Sequence, residues 1–166
     1  MIGFTEVIQT MGAMIIFAMI MTTSNRFMLS NTSVKVQSEV EVRATALAQD
    51  LIEFSKALPF DEATQNNRIP DNVPGDFAEG NPFASSSAAN REQLRFFEDL
   101  NNYEEELTTN LGEYTISAIV EYMDPNDLST PAASKSIYKR LSVTVTNPHI
   151  TNTVNLRYTR VYNNYN

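Results

Sequence analysis

The sequence predicts an α+β fold in which a long N-terminal helix lays its C-terminal half on a small antiparallel sheet of three or slightly more strands. Three observations carry this. After Arg26 no glycine or proline occurs until Pro59, a run long enough for one uninterrupted helix. Within that run Val40, Ala44, Leu47, Leu51, Phe54 and Leu58 recur at spacings of 4, 3, 4, 3 and 4, which sets all six on one helix face. From Gly112 onward the apolar period changes to two, the period of half-buried strands.

The helix begins in an unusual segment. Between Glu6 and Arg26 lie 19 consecutive uncharged residues, Val7 to Asn25, whose centre from Met11 to Met21 is continuously apolar. As helix they span roughly 28 Å, close to the thickness of a bilayer core. A secretory signal peptide needs a basic n-region, and Met1-Ile-Gly-Phe-Thr-Glu6 carries none. A membrane span and a helix buried in a protein assembly both remain open. Gln9, Thr10, Thr22, Thr23 and Ser24 suit the second better. Asn31-Thr-Ser33, with Val34, Val36 and Val40 nearby, is a predicted soft spot. Beyond it Glu39, Arg43, Gln49, Asp50 and Glu53 face water opposite the apolar stripe, and Pro59 ends the helix near Leu58 after about 85 Å. Packing on a domain accounts for the stripe but not for residues 1–30, which the remaining chain is too short to cover. Such a helix must find a membrane or copies of itself.

Four segments follow from this pattern: 1–30 as the hydrophobic half of the helix, 31–58 as its amphipathic half, 59–111 as a loop region with a short helix, and 112–166 as a β-meander forming one domain with 31–58. Residues 59–93 are broken by Pro70, Pro74-Gly75, Gly80 and Pro82 and read as a long surface loop. Leu94, Phe96, Phe97, Leu100 and Tyr103 lie among acids, as one helical turn and an irregular stretch plugging the sheet edge. Tyr114, Ile116, Ala118, Val120 and Tyr122 form the inner row of one strand. Asp124-Pro-Asn-Asp127 opens a connection to Ser136, and Ile137, Lys139, Leu141, Val143 and Val145 form the next inner row. Val154, Leu156 and Tyr158 begin a third strand ending near Tyr162. The stripe and these rows predict a core of Val40, Ala44, Leu47, Leu51, Phe54, Leu58, Ile116, Val120, Leu141, Val143, Val145 and Leu156.

Composition narrows the chemistry. Twelve basic against 20 acidic side chains, a formal charge of -8, argue against nucleic acid as a partner. Without cysteine there is no disulfide or thiolate metal site, and the single histidine, His149, sits exposed in a turn after Pro148. Glu98-Asp99, Glu104-Glu-Glu106 and Asp124-Pro-Asn-Asp127 lack the spacing of a calcium loop and read as solvated acids. No catalytic, cofactor-binding or metal-binding residues are predicted, and the chain does not read as an enzyme.

Ala46-Leu-Ala-Gln-Asp-Leu-Ile-Glu-Phe-Ser-Lys-Ala-Leu-Pro-Phe-Asp61 resembles the segment that follows the membrane-length helix in pseudopilin-like proteins, where Ala-Gln-x-Leu-Ile-Glu precedes Pro-Phe-Asp. Tyr138-Lys-Arg-Leu-Ser-Val-Thr-Val-Thr146 is similar to their penultimate strand. With the N-terminal segment, the resemblance to the type IV filament superfamily, type IV pilins and the pseudopilins of type II secretion, covers about half the chain, and its order along one chain is its most specific feature. Gly3-Phe4-Thr5 looks like the family's cut site. The family places a glutamate fifth in the mature chain, whereas Glu6 is third counted from Phe4, fifth from Ile2 and sixth from Met1.

The resemblance implies a lollipop-like filament subunit without enzymatic activity. It would be held in the inner membrane and then polymerise with copies of itself into a cell-surface filament for adhesion, motility or secretion. It also implies a prepilin peptidase and pilus assembly machinery as partners. The assembly residues would be Phe4, Glu6, Gly12, Ala13, Ile15, Ile16, Phe17, Ala18, Ile20 and Arg26, with Gly12, Ala13 and Ala18 allowing close helix contact. Glu6 would pair with a neighbouring subunit's N-terminal amine, or else sit in interfacial water favoured by the helix dipole. Arg26 would snorkel at the far edge or pair with an adjacent subunit. Tyr158, Tyr162 and Tyr165 would contact a neighbour or fray. A minor pseudopilin and a non-polymerising single-span periplasmic binding protein are the alternatives.

Overall fold

The computed structural model describes residues 3–80, 82–150 and 152–163. It divides into two compact units, Met1–Glu39 and Val40–Asn166. Helix α1, Phe4–Ala57, supplies the first and enters the second. In the first unit Glu6 Oε2 accepts the Gly3 backbone N–H at 3.0 Å, half of a capping box that occupies one free donor at the helix start. The soft spot does not interrupt the helix. The hydroxyls of Thr22, Thr23 and Thr32 donate to the carbonyls of Ala18, Met19 and Met28 at 2.7, 2.8 and 2.9 Å, and Thr10 donates to the Glu6 carbonyl. Polar side chains that return their hydrogen bonds to their own helix ask for nothing outside it.

In the second unit the predicted stripe is the buried face of α1: Val40, Ala44, Leu47, Leu51 and Leu58 are buried, joined by Ala48 and Ser55, while Phe54 is partly buried. Pro59 follows the end of α1, and its last carbonyls are met from a distant strand. Arg160 Nη1 donates to Leu58 O at 2.6 Å and to Ser55 O at 3.3 Å, where a cation also complements the helix dipole.

The sheet is antiparallel and five-stranded: β1 Tyr103–Thr109, β2 Gly112–Asp124, β3 Asp127–Pro131, β4 Tyr138–Thr146 and β5 Val154–Val161. Its order is β1-β2-β4-β5, with β3 pairing the end of β2. Register places Ile116 opposite Val145, Ala118 opposite Val143 and Val120 opposite Leu141, and then Val143 opposite Leu156. These inner rows meet the stripe of α1 in one core, with Ile116, Val120, Leu141, Val143 and Val145 buried and Leu156 partly so on the outermost strand. Two further strands join the three read from the sequence, within the expectation of three or slightly more. β1 falls in the stretch read as irregular, and β3 in the connection after Asp124. Beyond Ala118, where β1 pairing stops, the buried Asn101 side chain accepts the Val120 N–H at 3.1 Å and donates to Phe83 O at 2.7 Å, closing the open edge of β2.

The segment between α1 and β1 corrects the surface-loop reading. Among the described residues its helical pieces are short 3-10 turns at Glu62–Asn67, Arg91–Gln93 and Phe97–Leu100, yet Phe60, Phe77, Phe83, Leu94, Phe97 and Leu100 are all buried. The chain is aperiodic there because its anchors come singly from irregular backbone, only Phe97 and Leu100 lying within one of these turns. Arg91 ties the segment down by pairing with Asp50 of α1 at 2.6 Å and Glu105 of β1 at 2.7 Å.

Candidate functional site

Two features stand apart from ordinary packing. The first is the N-terminal part of α1. Phe4, Ile15, Ile16, Phe17 and Ile20 are each between 59 and 82% exposed, and Ala13 and Ala18 are exposed with them. Gly12 leaves a notch, with nothing within 4 Å of where its Cβ would stand. This helix is long and apolar enough to cross a membrane, and none of its most apolar window is buried. Glu6, whose carboxylate is engaged by Gly3, and Arg26, which has no ion-pair partner among the described residues, bracket the apolar length. The structure thus gives Glu6 a bond within its own chain.

The second feature is ionic and fully enclosed. The period of β4 puts Lys139 on the inner face, opposite Tyr122 and Arg160 in register, where it is completely buried. Its ammonium spends its three hydrogens on three acceptors: Asp61 Oδ2 at 2.6 Å, Glu98 Oε2 at 2.9 Å and the Phe60 carbonyl at 2.9 Å. The rings of Phe60, Phe83, Tyr122 and Phe77 surround Nζ with centroids at 4.6, 5.2, 5.4 and 6.0 Å, adding cation–π attraction in a dry site.

Asp61 lies just past α1 and caps the turn that follows. Its Oδ1 accepts the backbone N–H groups of Ala63 and Ala78, each at 3.1 Å, and its Oδ2 accepts Ala78 again at 3.0 Å. Glu98 Oε1 accepts the Glu62 N–H at 2.9 Å. Burial, reinforced by the charge of Asp61 and opposed by Lys139, holds the Glu98 carboxyl above the ordinary carboxylate range. Burial likewise pushes up the Tyr122 phenol, which donates to Ala78 O at 3.0 Å.

Sequence reasoning placed Lys139 on an inner row without asking what would neutralise it there. A lysine in phase with Leu141, Val143 and Val145 was the available signal. The other acids separate by setting. Glu98 belongs to the enclosure and Asp99 accepts backbone N–H groups of Arg95 and Phe96. Glu104 and Glu106 are exposed on β1, whereas Glu105 pairs with Arg91. Asp127 is held down to about 2 by the hydroxyls of Ser129 and Thr130, the grip of a tight turn. His149 is exposed. Tyr162 packs on Phe60 and Phe77 at 5.5 and 5.1 Å, and half-buried Tyr158 lies under Lys56, so both make contacts within their own domain. Tyr165, like Met1 and Ile2, lies outside the described residues.

The architecture is an α+β domain entered by a helix whose N-terminal part is apolar and uncovered. Compared with known proteins, the chain matches no family model, no curated sequence and no solved structure.

Proposed function

We propose that this chain is the structural subunit of a type IV pilus-like filament, held in a membrane by α1 before assembly and polymerised through the same helix. One observation carries the reading: every large apolar side chain from Phe4 to Leu29 is exposed, on all sides of the helix rather than on one stripe. A helix apolar all round is covered by lipid or by like helices. The threonines that bond their own backbone make either environment tolerable, and Gly12, Ala13 and Ala18 give like helices places to approach closely. The resemblance of residues 46–61 and 138–146 to pseudopilin-like proteins points the same way.

A single-span membrane protein that never polymerises is the second reading, favoured by one contact. Glu6 already has a hydrogen-bond donor in its own chain, so it does not require a neighbour's amine. Electron microscopy of material sheared from expressing cells separates the two. Filaments containing this chain, with bundled helices at the axis, are the expected result. A monodisperse monomer in the absence of detergent would overturn both membrane and filament.

A further inference from the structure

The enclosure around Lys139 holds an amine and a carboxyl group in contact, shut off from water, with a third group beside them able to carry protons. Such a pair has two ways to be comfortable. It can persist as ions, stabilised by geometry, or it can remove both charges by condensing. We propose that Lys139 and Asp61 join in an intramolecular amide bond, with Glu98 as the proton carrier for the reaction.

Each participant is already in position. One ammonium proton passes to Asp61 Oδ2 across the 2.6 Å hydrogen bond, leaving a neutral amine and a neutral carboxylic acid. The freed lone pair on Nζ attacks Cγ of Asp61; a C–N bond forms and the C=O π pair moves onto Oδ1. That oxygen already receives the N–H groups of Ala63 and Ala78 at 3.1 Å, so two fixed dipoles meet the developing negative charge. A second Nζ proton is taken by Glu98 Oε2, 2.9 Å away, and delivered to Oδ2, which departs as water while the carbonyl re-forms. The three ammonium hydrogens end as one amide hydrogen and two on water. Charge is balanced throughout, and no oxidant, metal or nucleotide is consumed. The reaction is unimolecular, the arrangement in which held geometry accelerates most.

Glu98 has reason to be the carrier, because an enclosed carboxyl held above the ordinary range accepts a proton and gives it back. The aromatic wall of Phe60, Phe77, Phe83 and Tyr122 excludes the bulk water that would favour the ions. The bond would tie the chain just past α1 to the middle of the sheet, so that tension on the helix meets a covalent closure. The inference stands independently of whether the chain polymerises.

Peptide mapping of the full-length chain, purified in detergent and digested with trypsin, tests it. The expected product is residues 57–68 joined to residues 136–140, lighter than the two peptides together by one water, with no cleavage after Lys139. Glu98→Gln is expected to give separate peptides while keeping the near-ultraviolet circular dichroism of the folded domain. Lys139→Arg keeps the cation, cannot form this amide, and is expected to migrate more slowly than wild type in a denaturing gel. Free 57–68 together with cleavage after Lys139 in the wild-type digest would overturn the bond. A cross-linked Glu98→Gln digest would overturn the role of Glu98.

Discussion

A carboxyl group enclosed with a cation and a second carboxyl makes stability depend on pH in a direction that can be worked out. Glu98 is held above its ordinary value of 4.5, first by burial and then by the charge of Asp61. The fold therefore prefers its protonated form. The stability this confers is fully present below the unfolded value and is lost as pH rises from 4.5 through the raised folded value. Compared in the Lys139→Arg background, which keeps the cation and cannot form the amide, Glu98→Gln keeps the shape and cannot ionise, so its unfolding free energy in urea should lack this decline, and the two profiles should separate as pH rises. Profiles that stay parallel would show that Glu98 titrates as it does in water. Removing Asp61 is a different perturbation. In the same Lys139→Arg background, Asp61→Ala takes an acceptor from the cation and from the N–H groups of Ala63 and Ala78 together, and a loss of about 3–5 kcal/mol is expected from breaking a buried pair. A loss below about 1 kcal/mol, measured by urea titration, would mean that the enclosure relaxes or admits water.

Among the elements, the end of α1 depends on a side chain that is far away in sequence. Arg160→Met keeps an unbranched apolar stem but removes the donors to Leu58 O and Ser55 O. Ser55 O still receives the Leu58 N–H at 3.3 Å, so the loss falls mainly on Leu58 O, and about 1–3 kcal/mol is expected. Arg160→Lys should recover part of it, and equal stability of all three proteins would remove the capping role. This dependence illustrates which elements were legible beforehand. The stripe of α1 and the inner rows of β2, β4 and β5 were readable because every second or every third-to-fourth residue is apolar, which reflects a two-sided environment. β1 was not, because Glu105 takes an inner position between Tyr103 and Leu107 and is made acceptable there by Arg91. β3 carries no hydrophobic signal at all, since all five of its residues are exposed and its pairing follows from the turn after Asp124. The anchors Phe60, Phe77, Phe83 and Phe97 arrive from a chain with no period to detect. The ionic enclosure joins Asp61 and Glu98 to Lys139 across separations of 78 and 41 residues, and only Lys139's place on an inner row foretold it.

For the molecule as a whole, the question is what α1 needs outside its own chain. Val7 to Asn25 carries no charge, and its centre is the place where a new one is least tolerable. Ile16→Asp should therefore cost about 2.5–3.5 kcal/mol of insertion free energy and move the chain out of the membrane fraction. Residues 40–166 form their own compact unit, so their near-ultraviolet signal should be unchanged in this variant. That result would establish the need for an apolar environment but would not distinguish lipid from like helices. Glu6→Ala makes the distinction. The substitution removes the bond to the Gly3 N–H, a capping contact worth about 1 kcal/mol at one helix end, and leaves the apolar length intact. Membrane association should persist under either reading. If assembly sets the carboxylate against a neighbour's amine, the variant should remain in the membrane and form no filaments, because the amine would then be desolvated without a partner. If Glu6 serves only to begin its own helix, the variant should behave as wild type in every assay of assembly. Filaments at wild-type abundance from Glu6→Ala cells would therefore confine this residue to the capping role seen in the structure, and leave polymerisation to the apolar faces alone.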